Sequence, residues 1–384
     1  MKVAVLGYGT VGAGVYSMLS DAPGMEAGPV LVRPGKAVES FMVSDAALIF
    51  GDPTVDAVVE TLGGLDPAYS YGMRALEAGK HFITANKAMV AAHGLELAAL
   101  AREKGAAFLF SAACGGGVPF LHNLALSAET DRIEAVSGIL NGTTNYMLDA
   151  MQRRGLSYGD ALREAQSLGY AESDPTADVS GLDALRKIQL ACAVAFGVLP
   201  QSGMLCEGME HFTAADVEDI QSRGLVCRLM ARGSRAGESV SAYVEPVLFP
   251  RAAPESSVFT NNNMARYTGK RCGSIVLMGQ GAGRFPTASA VLRDLSAAQQ
   301  GARSMFPENC RAAEADNREA VHSYYIRTGG FAAVRLPLRS VLAQGEVVRA
   351  VTEPMSAEKM HALAQNIRKD GNDLFFAALE EELC

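Results

Sequence analysis

Residues 2–19 read KVAVLGYGTVGAGVYSML: an unbroken apolar run, then Gly7-x-Gly9-x-x-Gly12, then a segment with helical spacing. A short apolar run closed by glycine predicts a strand buried on both faces. Gly7 allows the tight turn, Gly9 lets backbone approach a pyrophosphate, and Gly12 permits close packing of helix on strand. Phosphates would rest on the N–H groups at the helix start, at Thr10 and Val11. A GxGxxG run alone is a weak signal, and a glycine turn in an unrelated α/β domain reads the same way. The specific part is its setting, after the first strand and at the opening of a helix.

Working outward, VLVR (30–33) is the second strand. About twenty residues past the third glycine, an NAD site places a carboxylate on the ribose hydroxyl. Here the strand ends in Arg33, with Lys36 close behind, which favours a 2′-phosphate and hence NADP. Glu39 nearby argues the other way, and a solvated loop arginine is the plain alternative. AALIF (46–50) and VDAVVETLGG (55–64) follow, the second a buried strand ending at Gly63 and Gly64. PAYSYGMRALEAGK (67–80) has helical spacing closed by Gly79, and HFITANK (81–87) is a strand with a polar tip at Asn86 and Lys87. LELAALAREKG is a helix and AAFLFSA a strand. Such alternation predicts an α/β fold: a Rossmann-type, doubly wound parallel sheet whose ligands lie at the C-terminal strand ends, where Lys87 falls. CGGGVPFL (114–121) breaks the pattern.

The expected domains are therefore 1–120 for dinucleotide binding, and 121–283 as an α+β domain for substrate and dimerisation. The glycines of GQGAG (279–283), ending at Gly283, precede a helix that returns to the first domain at about 284–305. Residues 320–384 read as a small α/β tail.

The chain of 384 residues carries a net charge of −8, with 49% apolar and 20% charged residues. Acidity and the lack of any basic run argue against nucleic acid or an anionic membrane as partner. Cysteines 114, 192, 206, 227, 272, 310 and 384 are scattered and never in CxxC spacing. That excludes a disulfide framework or zinc site as the simplest reading and fits a reducing cytoplasm. The N-terminus reads as a buried strand and not as a cleavable signal.

The densest chemistry is GYAESDPTADVSGLDALRK (169–187), with Glu172, Asp178, Asp183 and Lys187 around one proline. Asp183 and Lys187 are four apart, hence on one helical face. Ser180-x-x-Asp183 is also a plausible capping box, and an i,i+4 pair is commonly a surface pair. Against this stands the continuation IQLACAVAF (188–196), apolar nearly all round, which predicts a buried helix with charges at its start facing a cavity. GILNGTTNYM (138–147) packs glycine, amide and hydroxyl groups between apolar flanks.

With these residues in hand, the chain closely resembles the homoserine dehydrogenases, over residues 1 to about 305 and again at SYYIR (323–327). TANK (84–87), GGGVP (115–119), GILNGTTNYM and GYAESDP with Asp178, Asp183 and Lys187 carry the resemblance. It implies reversible oxidation of L-homoserine to L-aspartate 4-semialdehyde with NAD(P), in threonine and methionine biosynthesis, by a cytoplasmic homodimer. It implies Lys187 as proton donor, Lys87 as a second lysine at the nicotinamide end, and Asp183 beside them. Glu172, Asp178, Asp183, Gly142 and Thr143 become substrate contacts. Gly7, Gly9, Thr10, Val11, Gly12, Arg33, Gly63, Lys87, Gly169 and Gly283 become cofactor contacts. GILNGTTNYM would line the substrate and nicotinamide pocket.

Two departures bear on this resemblance. Relatives wrap a monovalent cation, Na⁺ or K⁺, with backbone carbonyls, which would fall at Ser111, Cys114, Gly116 and Val118. Their Glu-Ala-Ser-Val is Ser111-Ala112-Ala113-Cys114 here, so a carboxylate is missing. No aspartokinase portion precedes the dehydrogenase, so a monofunctional form is expected. The tail lacks the Asp-x-Pro-Gly turn of a threonine-binding ACT domain. It reads as a shortened version, with strands around Ala332–Leu336 and Val347–Thr352 and a helix from Ser356, without an ordinary threonine pocket. Alternatives are a two-domain dehydrogenase of another amino or hydroxy acid, or a non-catalytic NADPH sensor.

Overall fold

The computed structural model describes residues 1–333 and 335–380. Cys384 and Val334, which figured in the cysteine and strand readings, lie outside the described residues. The chain divides into two compact units: residues 1–133, 189–199 and 269–312, and residues 134–188, 200–268 and 313–384.

In the first unit the apolar runs form parallel strands β1 (Lys2–Leu6), β2 (Glu26–Leu31), β3 (Met42–Val43), β4 (Ala57–Glu60), β5 (His81–Thr84) and β6 (Phe108–Leu109). Their order is β3-β2-β1-β4-β5-β6, that of a doubly wound sheet. Strand order reverses between β1 and β4, so their carboxyl ends frame the crevice where such sheets take ligands. Helix α1 (Thr10–Leu19) follows β1, α2 (Ala68–Glu77) follows β4, and α3 (Lys87–Lys104) follows β5. Gly105, at φ 66°, closes α3 in the left-handed conformation that glycine adopts without strain. The helix Arg284–Gln299 packs on α1. A Cβ at Gly14 would come within 2.9 Å of Arg284, so that approach needs glycine. AALIF is mostly helix (Ala47–Phe50), and the second strand stops at Leu31, two residues before Arg33.

The second unit is built on a mixed sheet. Its strands are β7 (Ile133–Ile139), β8 (Leu205–Cys206), β9 (Leu225–Ala236), β10 (Ser239–Pro250), β11 (Asn262–Gly269), β12 (Tyr324–Gly329), β13 (Leu338–Ala343), β14 (Val347–Thr352) and β15 (Leu374–Leu379). They run in the order β11-β7-β9-β10-β15-β12-β14-β13, with β8 beside β10. The long hairpin β9–β10 pairs Leu225 with Pro250 through to Ala236 with Ser239. β15 then pairs in parallel with β10, Val247 against Ala378, which joins the C-terminal residues to the hairpin. Helices α4 (Gly142–Arg154) and α6 (Ala357–Lys369) belong to this unit, and α5 (Leu182–Phe196) begins in it and continues into residues 189–199 of the first. Ser356 caps α6 by accepting from Lys359 N at 3.3 Å, as the sequence suggested. The strand expected around Ala332–Leu336 is instead a helical turn, Gly330–Ala333, and the strand begins at Leu338. No helix among the described residues is long and apolar enough to cross a membrane.

The stretch read in the sequence as a tail, 320–384, falls within this unit, and its described residues contribute to the unit's core. Ile139, Met230, Val247, Phe249, Tyr324 and Phe376 are all buried in one cluster. Phe376→Ala should therefore destabilise the whole second unit by about 3–5 kcal/mol, read by urea unfolding. A tail that folded by itself would instead lose its own transition and leave the rest unchanged.

Candidate active site

In the first unit, Gly7 has φ 99°, and a Cβ at Gly12 would lie 2.1 Å from the Gly7 carbonyl oxygen. Only glycine lets α1 close on the turn at that distance. Gly9 caps α1 without any side-chain hydrogen bond, and the space where its Cβ would stand is open. The N–H groups at Thr10, Val11 and Gly12 thus open the helix toward a crevice suited to an anion. That crevice is a cleft of about 970 Å³ lined by Gly7, Tyr8, Gly9, Arg33, Thr61 and Tyr71. Arg33 and Lys36 are exposed at it, and Glu39 lines it too. Phe41 also lines it, stacked on Tyr16 with ring centroids 4.3 Å apart. Its loop position gave no sequence signal of this.

At the neighbouring strand ends, Gly63 (φ 77°) follows β4, and Lys87 is the first residue of α3, capped by Asn86. Gly283, at φ 120°, stands immediately before the helix Arg284–Gln299. Residues 111–118 form a buried turn in which Ser111 N and Oγ donate to the Asp294 carboxylate at 2.8 and 2.6 Å. Burial pushes Asp294 up to about 7, with the hydrogen bonds from Ser111 pulling against it. Among the described residues, no three His, Cys, Asp or Glu side chains are placed together to hold a metal ion.

In the second unit, GILNGTTNYM turns from β7 into α4. Gly138 is required there because a Cβ would lie 2.4 Å from the Met264 carbonyl oxygen; at Gly142 the clash would be with Asn261, at 2.7 Å. Asn141 caps α4, its Oδ1 accepting from Thr144 N at 2.8 Å. Its Nδ2 donates to Asp178 Oδ1 at 2.7 Å and Asp183 Oδ2 at 2.9 Å. A donor on one side and two carboxylates on the other fix which way the amide points. Lys187 Nζ donates to the Leu140 carbonyl at 2.6 Å and pairs with Asp183 Oδ2 at 2.7 Å. Thr143 Oγ1 donates to the Tyr170 carbonyl at 2.5 Å, tying α4 to the segment that carries Glu172 and Asp178.

Asp183 and Lys187 are buried, as are Ile188, Leu190, Ala191 and Val194 after them, so α5 is the buried helix that IQLACAVAF suggested. The capping box does not form: Ser180 Oγ is buried without a hydrogen-bond partner, while Asp183 faces Asn141 and Lys187. Burial raises Asp178 above the usual carboxylate range; the Asn141 amide lowers it, and the charge of Asp183 raises it further.

The fold thus gathers Asn141, Asp178, Asp183 and Lys187, with Gly142 and Thr143 beside them. It does not bring Glu172 into hydrogen bonding with them; that residue is exposed, and its carbonyl accepts from Gln166 Nε2 at 3.1 Å. Gly169 lies in the turn before it, at φ 73°, with open space at its Cβ position. Asn141 and the Leu140 carbonyl were not singled out from the sequence, although the N-G pair before a helix was a signal for a capping asparagine.

Two family profiles match the chain: one described as homoserine dehydrogenase over residues 119–296, and one as the homoserine dehydrogenase NAD binding domain over residues 7–111. The homoserine dehydrogenase of Synechocystis sp. is 38% identical over 319 residues, covering 77% of this chain and 72% of its own. That of Corynebacterium glutamicum is also 38% identical, covering 76% and 70%. A solved homoserine dehydrogenase from Thiobacillus denitrificans has a TM-score of 0.87 at 29% identity, covering 99% of this chain and 98% of that one. On these matches, and on a chain that carries both a parallel nucleotide-binding sheet and a buried lysine–carboxylate cluster, the chain belongs to the homoserine dehydrogenase family of NAD(P)-dependent oxidoreductases.

Proposed function

We propose that this chain interconverts L-homoserine and L-aspartate 4-semialdehyde with NADP as preferred cofactor, Lys187 moving the proton. The observation that carries the reading is the buried Lys187 Nζ, held at 2.6 Å by the Leu140 carbonyl and at 2.7 Å by Asp183. When bound, the nicotinamide supplies or accepts the hydride at the substrate carbon that bears oxygen. In semialdehyde reduction, the Lys187 ammonium gives its proton to the carbonyl oxygen, which becomes the hydroxyl. In homoserine oxidation, the neutral amine takes the hydroxyl proton back. Neighbouring carboxylates stabilise the ammonium form, which suits it to the reductive direction. Asp183 orients Lys187, and Asp178 and Glu172 suit the substrate ammonium group. Gly142, Thr143 and Gly169 would line the substrate and nicotinamide end.

The residues of the first unit fit the cofactor. Gly7, Gly9, Thr10, Val11 and Gly12 would hold the pyrophosphate, Gly63, Lys87 and Gly283 the remainder, and Arg33 with Lys36 a 2′-phosphate. The carbonyls of Ser111, Cys114, Gly116 and Val118 would hold a monovalent cation that stiffens their loop. Ser111 and Val118 each already accept one backbone N–H, and a carbonyl oxygen has a second lone pair to offer. The Asp294 side chain stands beside Ser111. The cytoplasmic homodimer belongs to the same proposal, and the mass in solution checks its second half.

Lys187→Ala should lower kcat roughly 10²–10⁴-fold while NADPH binding stays near wild type. A variant that kept more than about a tenth of wild-type kcat would remove Lys187 as proton donor. Arg33→Ala should raise KM for NADP by on the order of tenfold and leave NAD nearly unchanged, since a charged hydrogen bond to phosphate is lost. Equal changes for both cofactors would mark Arg33 as a solvated loop residue. Asp178 offers a test through stability. A carboxyl whose folded pKa is raised favours the folded state while protonated, and that contribution is lost as pH rises through the raised value. Asp178→Asn should therefore raise Tm at neutral pH, by an amount that shrinks as pH falls toward the ordinary carboxylate range. A change in Tm that did not vary with pH would contradict this.

A further inference from the structure

The first unit holds a buried carboxylate with no part in the chemistry above. Glu60 ends β4 at 0% exposure, on the sheet edge where the cofactor cleft opens. Its Oε1 accepts from the backbone N–H of Leu62 at 2.5 Å and of Gly63 at 3.2 Å. Its Oε2 accepts from Thr84 Oγ1 at 2.6 Å, at the end of β5. Thr84 Oγ1 accepts in turn from Asn86 N at 2.9 Å. The circuit closes when Asn86 Nδ2 donates to the Gly64 carbonyl at 2.6 Å, while its Oδ1 caps α3 through Met89 N at 3.2 Å. Two loops from adjacent parallel strands are thus bound together, and Lys87 is the next residue of the second.

A side chain that merely filled space at this strand end would be apolar, like Val58 and Val59 before it. Burying a carboxylate is costly unless its lone pairs are met. Here they are met by the groups that set the shape of both loops. Without Glu60, the N–H groups of Leu62 and Gly63 and the hydroxyl of Thr84 lose their acceptor, and the loops can part.

We infer that Glu60 is a positioning residue of the cofactor site. It fixes residues 61–64 and the start of α3 as one rigid ledge, so that Gly63 and Lys87 keep their places at the nicotinamide end. This rests on the reading that Lys87 serves that end. Glutamine keeps the heavy atoms of the circuit with one bond reversed: its carbonyl accepts from Leu62 and Gly63, and its amide donates to Thr84 Oγ1, which then accepts twice. Alanine keeps none of these bonds. Thr84→Val keeps the Leu62 and Gly63 bonds and removes both bonds of the hydroxyl, the one to Glu60 Oε2 and the one from Asn86 N.

The test compares NADPH with 2′-phospho-ADP-ribose, its fragment without nicotinamide, on purified Glu60→Ala, Glu60→Gln and Thr84→Val proteins. NADPH binding is read by fluorescence titration, fragment binding by competition, and kcat by homoserine oxidation. Glu60→Ala should weaken NADPH by about tenfold while fragment affinity stays within about twofold. Its kcat should fall between about tenfold and 10²-fold, as a displaced group near the reacting atoms would give. Glu60→Gln should restore most of both, and Thr84→Val should lower kcat with fragment binding unchanged. Equal weakening of NADPH and fragment would reduce Glu60 to a structural role, and wild-type behaviour of Thr84→Val would break the link to α3. Should Glu60→Ala fail to fold, the Gln and Thr84→Val proteins decide alone. Lys87→Ala, run alongside, is scored separately. Unchanged NADPH binding and kcat there would sink the Lys87 reading by itself, because the Glu60 variants are judged on the contrast between NADPH and its fragment.

Discussion

The amide of Asn141 is the point on which the second unit's chemistry hangs. One nitrogen donates to Asp178 and Asp183 together, while the oxygen of the same amide caps α4. Two carboxylates this close repel, and burial makes each costly. The amide nitrogen and the Lys187 ammonium offset that cost. The Leu140 carbonyl, one residue before Asn141, takes the other side of the ammonium. Small residues follow from this geometry. Glycines at 138 and 142 let the strand end press against residues 261–265, which leaves Asn141 at the turn with its side chain facing α5.

The first unit uses the same physical solution for a different ligand. A parallel strand end exposes bare backbone, and glycines at positions 7, 9 and 12 keep it uncovered. A buried carboxylate, Glu60, then holds the adjoining loops in place through backbone N–H groups and a threonine hydroxyl. In both units a short polar network at a sheet edge converts flexible loop into fixed donors and acceptors. Preorganised donors cost no rearrangement when substrate arrives.

Much of the first unit was legible in the sequence because its strands are continuous apolar runs and each is followed by a helix with its own period. The pairing of Asp183 with Lys187 was legible too, from spacing and from the apolar helix behind it. Other features were not. The link between β10 and β15 joins residues over 120 positions apart, and no local period announces such a pairing. For that reason 320–384 read as a tail, although Tyr324 and Phe376 lie in the second unit's core. Ala332–Leu336 looked like a strand because a short apolar run is ambiguous between helix and strand. The capping box at Ser180 failed because a buried lysine and amide compete for Asp183 more strongly than a local cap does. Glu60 and Asn141 were passed over for one reason: each joins its own turn to side chains of a distant segment, Thr84 for Glu60 and Asp178 with Asp183 for Asn141, which a motif does not display.

The central claim is that the Lys187 ammonium, fixed by Leu140 and Asp183, meets the oxygen that gains or loses the proton. The most direct measurement is a crystal structure of the protein with L-homoserine and oxidised cofactor bound. The account predicts the substrate side-chain hydroxyl oxygen at about 2.6–3.2 Å from Lys187 Nζ, hydrogen-bond reach for a proton donor. A hydroxyl lying beyond that reach and bonded to another group, with Lys187 still held by Leu140 and Asp183, would contradict it.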